Sequence, residues 1–123
     1  MKKTLIHTFT VFIVGFLSNC NNDEKIKGLK SNEILVVTLN ISDDFDIEKI
    51  TLTSTGGTDE ISGSQIENRE KVKLKTPQHG EGIFKICVYT PTDTFCSQDS
   101  YIEGGYRPKL RLKNNNFETL EWN

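Results

Sequence analysis

Two pentapeptides alternate without exception: Lys71-Val72-Lys73-Leu74-Lys75 and Lys109-Leu110-Arg111-Leu112-Lys113. A period of two places every apolar side chain on one side of an extended strand and every cation on the other. A helix would scatter the same residues around its circumference, so these stretches require strands with one buried face. Ile47 to Ser54 follows the rule, with Ile50 and Leu52 against Lys49, Thr51 and Thr53. Glu33 to Ile41 (EILVVTLNI) is β-branched and apolar on both faces, as a central strand requires. Beyond the first twenty residues, no segment sustains a helical period for more than two turns.

The punctuation between these stretches is turn chemistry: Ser42-Asp43-Asp44, Gly56-Gly57, Pro77 to Gly82, Glu103-Gly104-Gly105 and Asn114 to Asn116. Thr58 to Asn68 is weakly patterned, with Ile61 and Ile66 as its candidate core contacts. Pro108 marks a strand start or an edge, and Phe117 to Trp122 reads as a last short strand. Seven or eight short strands predict an all-β, two-sheet antiparallel sandwich over residues 33–123. An immunoglobulin-like arrangement in the loose sense and a transthyretin-like one both remain open, because the immunoglobulin Trp and inter-sheet cysteines are not in their usual places.

Gly82 to Thr90 and Thr94 to Ile102 flank Pro91-Thr92-Asp93 and read as a hairpin. With Pro91 and Thr92 at the tip, Tyr89 faces Thr94 and Cys87 faces Cys96. Directly opposed residues at a non-hydrogen-bonded site lie about 4.5 to 5.5 Å apart, within disulfide reach. Closing that ring is worth roughly 2.7 kcal/mol of chain entropy. Phe84, Ile86 and Val88 then face the core, and the disulfide shares the opposite face with Lys85 and Tyr89.

The first twenty residues follow different rules. Lys2 and Lys3 precede an apolar run from Leu5 to Leu17, and Leu17-Ser18-Asn19-Cys20 closes it. Basic start, short apolar middle and small-residue end are the parts of a secretory signal. The run is too short for a membrane span of about 20 residues. The last four residues resemble the lipobox of bacterial lipoproteins, in which the leader is cut before a cysteine that then receives lipid. Asn19 stands where Gly or Ala is usual, which looks more like lipoboxes of spirochaetes and some Bacteroidetes. The resemblance implies a cleaved leader over residues 1–19, acylation of Cys20 (palmitate among its chains) and membrane lipid as a partner. Two acyl chains already anchor stably.

Cleavage leaves 104 residues with 13 basic and 17 acidic side chains, a formal charge of −4. That fits a single domain and argues against nucleic acid as a partner. With Cys20 lipidated, Cys87 and Cys96 remain as a pair, and an exported chain makes a disulfide the expected outcome. Residues 20–32 (CNNDEKIKGLKSN) are polar and charged and read as a tether. Asn21 rather than aspartate follows the cysteine, so the inner-membrane retention signal of enteric lipoproteins is missing and the outer membrane is the expected address. Asp23-Glu24 loosely resembles the acidic export tag of Bacteroidetes surface lipoproteins.

Chemistry-bearing patterns are sparse. His79 is the one histidine after the leader; Glu81 is near it in sequence, but no nucleophile is marked. No Walker loop, HExxH or CxxC occurs. Asp43, Asp44, Asp46 and Glu48 crowd one turn, a density of oxygens that could hold Ca²⁺, yet the offsets of an EF-type loop are missing and a solvated turn is the expectation. No catalytic residue, cofactor or metal is expected. The candidate binding surface consists of two cationic strands, Lys71, Lys73, Lys75 and Lys109, Arg111, Lys113, together with Tyr89, Tyr101 and Tyr106. If the cationic strands were neighbours, their charges would suit anionic glycan, lipid phosphate or an acidic protein, although like charges placed opposite each other disfavour that adjacency. The reading is a membrane-anchored envelope lipoprotein acting as a non-catalytic binding or assembly module with a protein or glycan partner. The alternatives are an immunity or inhibitor protein using the loop Pro77 to Gly82, and a small hydrolase built around His79.

Overall fold

The computed structural model describes residues 26–122, so the leader, Cys20 and the first part of the tether lie outside the described residues. After a 3-10 turn at Ser31–Glu33, the chain forms β1 (Ile34–Ile41), β2 (Lys49–Ser54), β3 (Gly57–Ser62), β4 (Val72–Pro77), β5 (Glu81–Tyr89), β6 (Thr94–Cys96), β7 (Ser100–Glu103), β8 (Lys109–Lys113) and β9 (Asn116–Glu121). One sheet has the order β4-β1-β8-β9; the other has β3-β2-β5-β6, with β7 also pairing β5. The architecture is the expected all-β two-sheet sandwich.

The alternating stretches behave as the period dictates. In β4, Val72, Leu74 and Thr76 are buried and Lys73 and Lys75 exposed; in β8, Leu110 and Leu112 are buried between exposed Lys109 and Lys113. Ile50 and Leu52 of β2, and Phe84, Ile86 and Val88 of β5, close the core from the other sheet. Burying each side chain of this size fully stabilises the fold by about 1.5 to 3 kcal/mol relative to leaving it in water. Ile61 and Ile66 pack on the core from its margin.

Three details differ from the sequence expectation. First, β1 is central but buries one face only: Leu35, Val37, Leu39 and Ile41 point inward, while Ile34, Val36, Thr38 and Asn40 lie half-buried on the outer face. β-branched residues suit a strand flanked on both sides whether or not a second layer covers them. Second, β1 runs parallel to β8, pairing Thr38 with Lys109 and Ile41 with Leu112, so one pair in the sandwich departs from antiparallel order. Third, the expected strand Thr94 to Ile102 is two strands, which raises the count to nine. Ser97 interrupts it, its hydroxyl accepting the Ile86 N–H at 3.0 Å in place of a continuous ladder.

Cys87 and Cys96 are bonded, at the expected register in which Tyr89 also faces Thr94. The bond joins neighbouring strands of one sheet rather than the two sheets, unlike the immunoglobulin pattern. At the β8–β9 turn, Asn114 (φ 53°) and Asn115 (φ 64°) both take left-handed backbone conformations, as a tight hairpin requires and asparagine tolerates.

Strand directions give the sandwich two distinct ends. The registers Ile34 with Pro77 and Glu81 with Glu103 gather residues 31–34, the β2–β3 turn, residues 77–82 and 103–107 at one end. Trp122 joins them, its ring 6.2 Å from that of Tyr106. This is the entry end, where the chain comes in from the tether. The far end carries residues 42–46, 63–69, 90–93 and the Asn114-Asn115 turn.

Candidate functional site

The two cationic strands lie in one sheet and face the same way, but they are not neighbours. β1 separates them, so Lys73 and Lys109 flank Thr38 from opposite sides. Two strand spacings put the rows about 9.6 Å apart. β9 then supplies acids: Arg111 Nη1 lies 3.1 Å from Glu118 Oε1, and Lys109 Nζ 3.4 Å from Glu121 Oε2. Such exposed pairs contribute little stability, about 0 to 1 kcal/mol, but they cancel charge locally. Among the described residues, Lys71, Lys73, Lys75 and Lys113 have no carboxylate within ion-pair distance. The face is therefore a spaced set of solvated lysines, with the six-charge cluster broken up by β1 and β9.

Tyr89 stands on the outer face of the other sheet, beside the disulfide. Lys49 Nζ sits 4.8 Å from its ring centroid and 3.5 Å from Glu60 Oε1, so the ring carries a paired cation. Next to it is a shallow depression of about 440 Å³ lined by Thr51, Thr53, Thr55, Ile83, Lys85 and Tyr89, among others. Its lining offers hydroxyls, one aromatic ring and the Lys85–Asp99 pair at 3.9 Å. No histidine borders it.

Tyr101 and Tyr106 belong to a third place, the entry end. Tyr101 projects from β7 opposite Ile83 of β5, and its hydroxyl donates to Glu81 Oε1 at 3.1 Å. Its ring meets Tyr106 edge-on at 6.3 Å; Tyr106 meets Trp122 edge-on at 6.2 Å, and Trp122 leans on buried Phe84 at 6.3 Å. The two edge-to-face contacts suit the ring quadrupoles, and the Trp122–Phe84 contact is tilted at 36°. The rings run from the outer face of the five-stranded sheet around its edge into the core. Partial desolvation, then the Glu103 and Glu81 carboxylates, raise the Tyr101 hydroxyl well above the ordinary phenol range. Desolvation and Glu103 raise Tyr106 in the same direction.

The frame beneath these rings consists of residues that the sequence did not mark as functional. Gln78 is 1% exposed. Its Oε1 accepts the Gly56 N–H at 3.0 Å, its Nε2 donates to Gly80 O at 3.3 Å, and its backbone N–H donates to Glu33 O at 2.8 Å. Arg107 donates to the carbonyls of Ile34, Tyr106 and Ser31 at 2.7, 2.9 and 2.9 Å. Neither carries a local signal: a glutamine in a Gly/Pro loop and an arginine outside the alternating strands both read as solvated from the sequence.

The loop Pro77 to Gly82 is pinned by Gln78, and His79 at its tip is largely exposed, with Nδ1 3.4 Å from Glu33 Oε2. The acidic turn has a structural occupation. Asp43 accepts the Asn114 and Asn115 N–H groups at 2.7 and 2.9 Å, and its carbonyl accepts from Arg69 at 2.6 Å. Phe45, which interrupts the acids, stacks on Phe95 at 5.4 Å. Among the described residues, no three His, Cys, Asp or Glu side chains converge on a metal-sized site. No described helix is long and apolar enough to cross a membrane.

No family model matches the chain, and no curated protein does. Among solved structures, the chain is similar to one described as "a putative cell adhesion protein from Bacteroides ovatus", at 8% identity and a TM-score of 0.41. The match covers 73% of this chain and 44% of that one. A likeness at that level carries no argument about this chain's activity.

Proposed function

We propose that this chain is a lipid-anchored lipoprotein of a bacterial envelope whose all-β domain binds or assembles with a protein or glycan partner and does no catalysis. The observation that carries the reading is the cysteine pairing. Cys87 and Cys96 are bonded to each other, which leaves Cys20, at the end of the apolar leader, as the remaining cysteine of three. The domain begins close behind it at Ser31, and the described partner of His79 is the Glu33 carboxylate rather than a nucleophile. Its exposed features are recognition chemistry: rings, threonine hydroxyls and spaced lysines. The pinned loop around Gln78 has little length to insert into another protein's active site, which favours a binding module over an inhibitor. The outer membrane is the address the tether supports.

The decisive experiment is mass spectrometry of the mature N-terminus, together with detergent phase partitioning of wild type and Cys20→Ala. Acyl chains on Cys20, and loss of detergent-phase partitioning or retention of the leader in the variant, are expected. A bare Cys20 thiol in the native protein overturns the proposal.

A further inference from the structure

The described domain leaves four large apolar side chains exposed: Ile83 (51%), Tyr101 (49%), Leu120 (42%) and Trp122 (41%). They come from three strands, yet all fall at the entry end. Ile83 is the third residue of β5, Tyr101 the third from the end of β7, Leu120 the second from the end of β9, and Trp122 follows it. None stands at the far end, whose aromatic pair Phe45 and Phe95 is stacked against the core. The tether enters within the same collar: Gly104 and Gly105 lie against Asn32, and Arg107 holds Ser31 by its carbonyl.

We infer that this apolar and aromatic collar rests in the headgroup layer of the membrane that carries the anchor, so that the domain leans on the entry-end margin of its five-stranded sheet, where Ile83 and Tyr101 project outward side by side. The inference deepens the proposed function and rests on its lipid anchor. Tyr and Trp favour the water–hydrocarbon boundary, where an apolar ring and a polar edge are both satisfied. The eleven residues from Cys20 to Lys30 span at most about 36 Å, so the anchor keeps the collar within that distance of the bilayer. Tethering makes the second contact intramolecular, at an effective concentration in the millimolar range, so weak interfacial affinity suffices. Glu81 and Glu103 stand beside Tyr101 and Tyr106 and disfavour a strongly anionic surface; the contact is apolar and aromatic, with phosphatidylcholine-like headgroups as the matching surface.

Trp122 is the chain's one tryptophan, so its fluorescence reports the collar directly. The full-length mature protein is mixed with phosphatidylcholine vesicles, some with brominated acyl chains near the headgroup, and two quantities are read. Flotation reports the anchor; quenching of Trp122 by brominated lipid reports the collar. Flotation with quenching and a blue-shifted emission is expected. Ile83→Ser with Tyr101→Ser should lose at least half of that quenching while flotation persists. Flotation with Trp122 unquenched, and as open to iodide as in lipid-free buffer, overturns the collar inference and leaves the anchor standing. A protein that does not float overturns the anchor; quenching at millimolar lipid then still sustains the collar, and its absence overturns it. A blue shift that grows with protein concentration in the absence of lipid marks contact between copies and also overturns the inference.

Discussion

The two ends of the sandwich solve the same problem, closing a set of strand connections, with opposite chemistry. The entry end is closed from inside. Gln78 bridges the β2–β3 turn to the loop before β5, Ser54 and Thr76 share a hydrogen bond of 2.8 Å between the sheets, and Arg107 ties three carbonyls. The far end is closed from outside, by exposed contacts such as Asp43 with the Asn114 and Asn115 amides and Thr90 with Asp93. Water can replace a partner lost at the far end, whereas a buried group at the entry end has no substitute. Hydrogen bonds of equal length therefore differ in worth by where they stand, and the end bearing the exposed rings has the stiffer foundation.

The largest break in that contrast is expected from Gly104. A Cβ there would fall on the carbonyl oxygens of Asn32 and Gln78, both backbone atoms with no room to yield. Gly104→Ala should cost about 3 kcal/mol or more, read as a drop in thermal midpoint exceeding about 10 °C. Gln78→Ala comes next. It removes one of the two acceptors of the Gly56 N–H, leaving Ser54 Oγ at 3.2 Å, and opens a cavity where a fully buried side chain stood, at about 2 to 3 kcal/mol by chemical denaturation. Asp43→Ala at the far end should cost only about 1 kcal/mol, because water reaches the freed amides. Hydrogen exchange separates the two ends residue by residue: Asp43→Ala should speed exchange at Asn114 and Asn115 and leave Gly56 unchanged. Equal costs for Gln78→Ala and Asp43→Ala would remove the distinction between the ends.

The smallest effect is on titration. The hydroxyls of Tyr101 and Tyr106 have raised folded pKa values, so the folded state keeps protons that the unfolded chain releases above pH about 10. The contribution to stability is complete below that pH and declines as pH rises beyond it. Tyrosinate absorbance of the folded protein should therefore rise late, and Tyr101→Phe should remove part of the late rise.

Much of the fold was legible because period two is a rigid constraint. The inward residues of β2, β4, β5 and β8, the Cys87–Cys96 pairing and the Asn114–Asn116 turn followed from alternation and turn chemistry alone. What escaped was whatever depends on which strands are neighbours. Like-charge repulsion already disfavoured adjacency of the two cationic strands, but that β1 is the strand between them, and that Glu118 and Glu121 neutralise part of their charge, belong to sheet order, which no local pattern encodes. Tyr101 and Tyr106 were marked as candidates, but their assembly with Trp122 over Phe84 arises because β5, β7 with the segment after it, and the residue after β9 meet at one end. Gln78 was hidden because a polar residue in a Gly/Pro loop reads as solvated until the packing around it is known.

The position of β1 has a mechanical consequence. Its first residue, Ile34, follows directly on the segment held by Arg107, and β4 and β8 flank the strand on both sides. A pull arriving through the residues before Ser31 is directed along the strand, so it must slide a whole ladder on each side at once instead of peeling bonds one after another. Force drawn through that point would load the middle of the sheet in shear, the direction in which a β-structure gives way last.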